Sequence, residues 1–192
     1  MADFQFELLR YTRKKVRGYS GTVGPFGEVT IESEWRKGSI KTAHRQQEVR
    51  LLGEQMPEVV YRTIGPGRPM LRNARLLIEG ELARLTFNSK AFRNKARALR
   101  IDCGERSYEY VVTRLAKGAT LSRPGIEISF TRGKNAQGKW GCQGTVSGEA
   151  DALDLALAIV FEDVDTMELT TTGHATEAIH RFLNPRSNEP IA

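Results

Sequence analysis

Apolar and polar residues alternate with a period of two over much of the chain. Phe4, Phe6 and Leu8 are separated by Gln5 and Glu7, which predicts an opening strand with one buried face. The same alternation recurs at Val29–Ile31, at Val59–Tyr61 and from Leu82 to Phe87, where Ala83, Leu85 and Phe87 share a face. It is tightest in three later segments, where Leu99, Ile101 and Cys103, then Tyr108, Tyr110 and Val112, then Ile126, Ile128 and Phe130 each line one side. Between these runs stand Gly24-Pro25, Gly65-Pro-Gly67, Arg123-Pro-Gly125 and Asn135-Ala-Gln-Gly138, which supply the fixed or positive φ of tight reversals. Cys103–Ser107 reads as a hairpin loop and Thr131–Lys139 as a longer one. Short strands at this spacing predict a largely antiparallel barrel or sandwich.

One segment breaks the period. From Ala150 to Phe161 only Asp151 and Asp154 are polar, and alanine and leucine dominate, which predicts a helix at about 149–162 capped by Ser147. Glu149, Asp151 and Asp154 suit the positive end of its dipole. A helix apolar nearly all round must be enclosed, so the preceding strands are expected to surround it. His174 to Leu183 carries a second helical pattern that ends before Pro185, and Asn184 to Ala192 reads as a tail. The organisation expected is therefore a barrel-like domain over 1–172 and a C-terminal helix and tail over 173–192.

The order of short antiparallel strands followed by Asp151-Ala-Leu-Asp-Leu-Ala-Leu-Ala-Ile-Val-Phe-Glu resembles the tubby C-terminal-like superfamily, which includes the tubby, LURP-one-related and phospholipid scramblase proteins. The pattern spans roughly residues 4–170, and the residue-level likeness is confined to Gly148–Asp163. The resemblance implies a mainly β fold, an antiparallel barrel enclosing an apolar helix near the C-terminus. It also implies a non-catalytic binding protein, since some members bind phosphoinositides. No family ligand motif carries over residue by residue.

Charge adds an asymmetry that the net value of +6 conceals. Lys plus Arg against Asp plus Glu runs 10 to 6 over residues 1–50, 17 to 8 over 51–146 and 2 to 9 over 147–192. A basic body followed by an acidic quarter either binds an anionic partner or pairs its two parts against each other. The cations concentrate in Arg10–Arg17 and Lys90–Arg97. Arg13, Lys14, Arg17, Arg93, Lys95 and Arg97 are thus the candidate anion-binding residues, suited to phosphate by guanidinium forks and mobile ammonium groups. If the Leu99 strand ran back unbroken, Arg93, Lys95 and Arg97 would share its buried face at a high desolvation cost, which predicts a loop or bulge there.

Other chemistry is sparse. His44, His174 and His180 sit in no catalytic or metal-binding motif, and the glycine-rich stretches lack a P-loop ending. Glu162, Asp163 and Asp165 do not match a calcium loop and are expected to form a solvated helix exit. Cys103 and Cys142 are expected to be free thiols. No stretch approaches the roughly 20 apolar residues of a membrane span, and the N-terminus lacks a signal-peptide pattern. The sequence therefore predicts a cytoplasmic protein, peripheral at the membrane where it meets anionic lipid, with no catalytic residues, metal or cofactor. Its expected partner is an anionic membrane surface or an acidic protein. The alternatives are a structural or protein-interaction domain without ligand and, third, a nucleic-acid-binding protein.

Overall fold

The computed structural model describes residues 3–34, 46–65, 68–88, 97–114 and 117–170. The helical pattern at 174–183, the tail and all three histidines lie outside the described residues, as do Arg93 and Lys95.

Twelve strands form a closed barrel: β1 (Phe4–Arg13), β2 (Val16–Thr22), β3 (Glu28–Glu34), β4 (Gln46–Leu52), β5 (Val59–Ile64), β6 (Arg75–Ile78), β7 (Glu81–Thr86), β8 (Leu99–Cys103), β9 (Arg106–Arg114), β10 (Gly118–Arg123), β11 (Ile126–Lys134) and β12 (Trp140–Gly148). Each strand pairs antiparallel with its sequence neighbours, and β1 closes the ring on β12 with Phe4 opposite Val146 and Leu9 opposite Gly141. Closure leaves no unpaired edge among the described strands. Most of the predicted inward rows are buried, among them Phe6 and Leu8, Ile101, Tyr108 and Tyr110, and Ile128 and Phe130, while Phe4, Leu85, Phe87 and Cys103 are partly buried.

The closing seam and the β2–β3 pair both depend on glycine. A Cβ on Gly144 would lie 2.2 Å from the Phe6 ring, and one on Gly18 would lie 1.7 Å from the Ile31 carbonyl oxygen, so these strands approach only because both positions lack a side chain.

The chain leaves β12 and forms helix α1 (Ala152–Val160), followed by a 3-10 turn, Phe161–Asp163. The cap is Asp151 rather than Ser147, because β12 continues to Gly148 and carries Ser147 in the sheet. Asp151 and Asp154 form a reciprocal capping box, with Asp154 N donating to Asp151 Oδ1 at 3.0 Å and Asp151 N to Asp154 Oδ2 at 2.9 Å. Every residue from Asp154 to Phe161 has 0% exposure. The helix touches β4, β5 and β10, and the Phe161 ring stands 5.7 Å from Tyr61 of β5 and 5.0 Å from Tyr110 of β9. No described helix is long and apolar enough to cross a membrane.

In a meander of this kind the connections alternate between the two ends of the barrel. Those after even-numbered strands, including the β12–α1 junction, lie at what we call the near end, and those after odd-numbered strands at the far end.

Candidate functional site

Four acids of the segment after β12, Asp154, Glu162, Asp163 and Glu168, are buried, and each draws on an arginine that precedes the helix. At the near end Asp154 accepts from Arg123 Nε at 2.7 Å and Nη2 at 2.8 Å, and from the Tyr108 hydroxyl at 3.0 Å. This bidentate pairing satisfies a carboxylate that has no water. Burial pushes the Tyr108 hydroxyl up to about 12, with the Asp154 charge adding to the effect and a hydrogen bond from Arg106 opposing it.

Farther along, Glu162 accepts from Arg132 Nε at 2.7 Å and Nη2 at 2.8 Å, and Arg132 also reaches the Tyr110 hydroxyl at 3.3 Å. Burial alone would lower the Arg132 guanidinium, but the charge and hydrogen bonds of Glu162 hold it above its ordinary value. Burial raises the neighbouring Cys142 thiol, and Glu162 adds to that. Cys142 is a packed free thiol, as Cys103 is a partly buried one.

Asp163 accepts a hydrogen bond from the Ser33 hydroxyl, and its Oδ1 lies 3.7 Å from Arg17 Nε and 3.5 Å from Arg68 Nη2. Glu168 pairs with Arg72 at 3.2 Å, and its carbonyl stands 3.5 Å from Arg97 Nη1. Glu162 and Asp163 are 3% and 1% exposed, which corrects the expectation of a solvated helix exit. Arginines up to 146 residues away in sequence enclose them, a neighbourhood that spacing along the chain does not reveal.

The proposed anion-binding residues divide by burial. Arg13 and Lys14 are exposed at the β1–β2 turn, whereas Arg17 and Arg97 are 7% and 3% exposed, and Arg97 Nε is buried with no hydrogen-bond partner. Arg93 and Lys95 lie outside the described residues. Arg13, Lys14, Arg17 and Arg97 lie toward the same end, the far one.

The exposed charges of the described turns sort by end. At the near end stand Asp3, Glu28, Glu54, Glu58, Glu79, Glu81, Glu105, Glu127 and Glu149, with Arg106 as an exposed cation among them. The far end exposes Arg10, Arg13, Lys14, Lys15, Arg68, Lys117, Lys134 and Lys139, with Glu34 as an exposed acid. Beside them Trp140 is 57% exposed, with Lys134 Nζ 5.9 Å from its ring centroid. Charge totals over long segments hide this sorting. A signal was present nonetheless, since acidic and basic turns alternate along the chain.

A depression of about 810 Å³ lies on the outer wall between β7 and β10. Its polar lining includes Arg100, Glu109 and Ser122, which are cross-strand neighbours rather than convergent groups. Among the described residues no group of three or more His, Cys, Asp or Glu could hold a metal ion. No family model, curated protein or solved structure matches the chain.

Proposed function

We propose that the chain is a non-catalytic binding protein whose barrel encloses α1 in the manner of the tubby C-terminal-like superfamily, and whose far end is a basic surface that engages an anionic membrane. Enclosure is supported by the full burial of Asp154–Phe161 and by the contacts of Phe161 with both Tyr61 and Tyr110. The observation that carries the binding reading is the sorting of exposed charge by end. A planar anionic surface attracts one end of such a molecule and repels the other, so it orients the barrel as well as binding it. Trp140 adds an amphipathic ring among the cations, of the kind that settles at the level of lipid headgroups.

The second reading is a structural or interaction domain without ligand, and a specific observation favours it too. Arg72, Arg123 and Arg132 are already paired to acids of the chain's own C-terminal part, so much of the apparent basic excess is internal. Titration with phosphatidylserine vesicles, phosphatidylcholine vesicles and duplex DNA over a salt series separates the readings. Binding confined to the anionic vesicles and weakened by salt supports the proposal. Preference for DNA assigns the far end to nucleic acid, and binding to none of the probes favours the domain without ligand.

A further inference from the structure

At the far end the inward row of β1 reaches solvent. Along β1 the inward positions are Phe6, Leu8 and Arg10; the first two are buried and Arg10 is exposed. Arg10 stands opposite Tyr19 in the β1–β2 register, and Arg17 is two residues from Tyr19 on the same face of β2. Arg68 approaches from the connection between β5 and β6, where its side chain is 43% exposed.

Arg17 and Arg68 share one oxygen of Asp163, at 3.7 Å and 3.5 Å, distances at or beyond the limit for a hydrogen bond. Arg17 Nε donates instead to the Ser33 hydroxyl at 3.3 Å. Arg10 makes no ion pair among the described residues. Two guanidinium groups therefore meet at one carboxylate, a third stands beside them across the β1–β2 register, and most of their donors are unspent among the described residues. Burial lowers the Arg17 guanidinium below its ordinary value despite Asp163, and the charges of Arg68 and Arg10 add to the shift.

We infer that Arg10, Arg17 and Arg68 form a binding site for a single phosphoryl group, in which Asp163 acts as a built-in competitor. A phosphoryl dianion brings about two negative charges and three strong acceptor oxygens, where Asp163 offers one charge and two oxygens, one of them committed to Ser33. Arg10 and Arg68 count among the exposed far-end cations, but the site is distinct from the β1–β2 hairpin tip of Arg13, Lys14 and Lys15, so changes at the tip and changes at the site can fail separately.

The test is calorimetric titration with inorganic phosphate, backed by thermal melts in phosphate and in sodium chloride of equal ionic strength. Wild type should melt higher in phosphate than in chloride, since a ligand of the folded state alone stabilises it. Arg10→Gln and Arg68→Gln, both at exposed side chains, should each weaken phosphate binding by roughly tenfold, while Arg84→Gln on the outer face of β7 should not. Asp163→Asn should lower the melting temperature without ligand yet tighten phosphate binding by about tenfold, a combination that a purely structural role would not give. Competition by phosphatidic acid vesicles, but not by phosphatidylserine vesicles, would identify the phosphoryl group as a lipid headgroup. Lack of competition by either would make it a soluble ligand. The inference is overturned if phosphate acts no differently from chloride on wild type and Asp163→Asn, or if binding survives both arginine changes intact.

Discussion

At the near end of the barrel the charged groups around the helix close on one another. Asp154 takes two hydrogen bonds from Arg123, one from Tyr108 and one from its own cap, and Arg106 spans Asp151 at 2.6 Å and Asp154 at 3.6 Å. At the far end the balance differs. Glu162 is held bidentately by Arg132, but Asp163 serves Arg17 and Arg68 at longer range, and Arg97 keeps an unpartnered Nε. Both ends place arginine against buried acid. The first arrangement spends its donors on fixing the helix, and the second leaves donors over. Buried ion pairs add little net stability compared with apolar packing, but losing one partner is expensive, so the near-end cluster is best understood as a device that fixes where the helix begins.

The largest effect should come from the helix itself, on which both ends depend. Leu157→Asp places a carboxylate without a partner at a position of 0% exposure and should abolish folding, seen as insoluble protein or loss of a cooperative melt. Leu157→Ala should fold but lose about 2–5 kcal/mol in denaturant melts.

The two ends should then separate. Asp154→Ala leaves Arg123 and the Tyr108 hydroxyl without an acceptor and removes half of the capping box, for an expected loss of about 3–5 kcal/mol. Asp163→Asn, whose guanidinium contacts are longer, should lose about 1 kcal/mol. Equal losses in urea melts would remove the distinction between the ends.

Alkaline pH gives a further prediction. Tyr19, Tyr61, Tyr108 and Tyr110 are all raised above their ordinary value of 10.0, with burial the first cause in each, and Tyr108 reaches about 12. A hydroxyl that holds its proton more tightly when folded contributes stability that is fully present below about pH 10 and is lost as pH rises toward 12 and beyond. Absorbance titration should therefore show these phenols ionising together with unfolding above pH 10. Ionisation of all the tyrosines near pH 10 in a folded protein would contradict their burial.

Much of this fold could be read from the sequence where the inward row is large and apolar. The β9 row of Tyr108, Tyr110 and Val112 and the β11 row of Ile126, Ile128 and Phe130 announce their strands. The strand β2 does not, because its inward positions include Arg17 and Tyr19 and the strand also carries Gly18 and Gly21. Nor does β12, where Gly144 is empty so that Phe6 of β1 can fill the space. Such positions acquire meaning only from the neighbouring strand. The opposition of a basic body and an acidic last quarter was visible in the charge totals, whereas the pairings Arg17–Asp163 and Arg123–Asp154 depend on ring closure and on where the helix lies.

The smallest expected effect on stability belongs to the exposed tips. Replacing Arg13, Lys14 and Lys15 together by Gln should change stability by less than about 0.5 kcal/mol, since exposed charges contribute little to folding.

The same triple variant tests the central claim most directly when its partition onto phosphatidylserine vesicles is compared with that of wild type at low salt. Each cation lost near an anionic bilayer removes about 1 kcal/mol, so the account predicts binding weakened by roughly a hundredfold at an unchanged melting temperature, with the difference shrinking as salt rises. Equal partition of the two proteins at every salt concentration, or no partition of either, would contradict a membrane-binding far end.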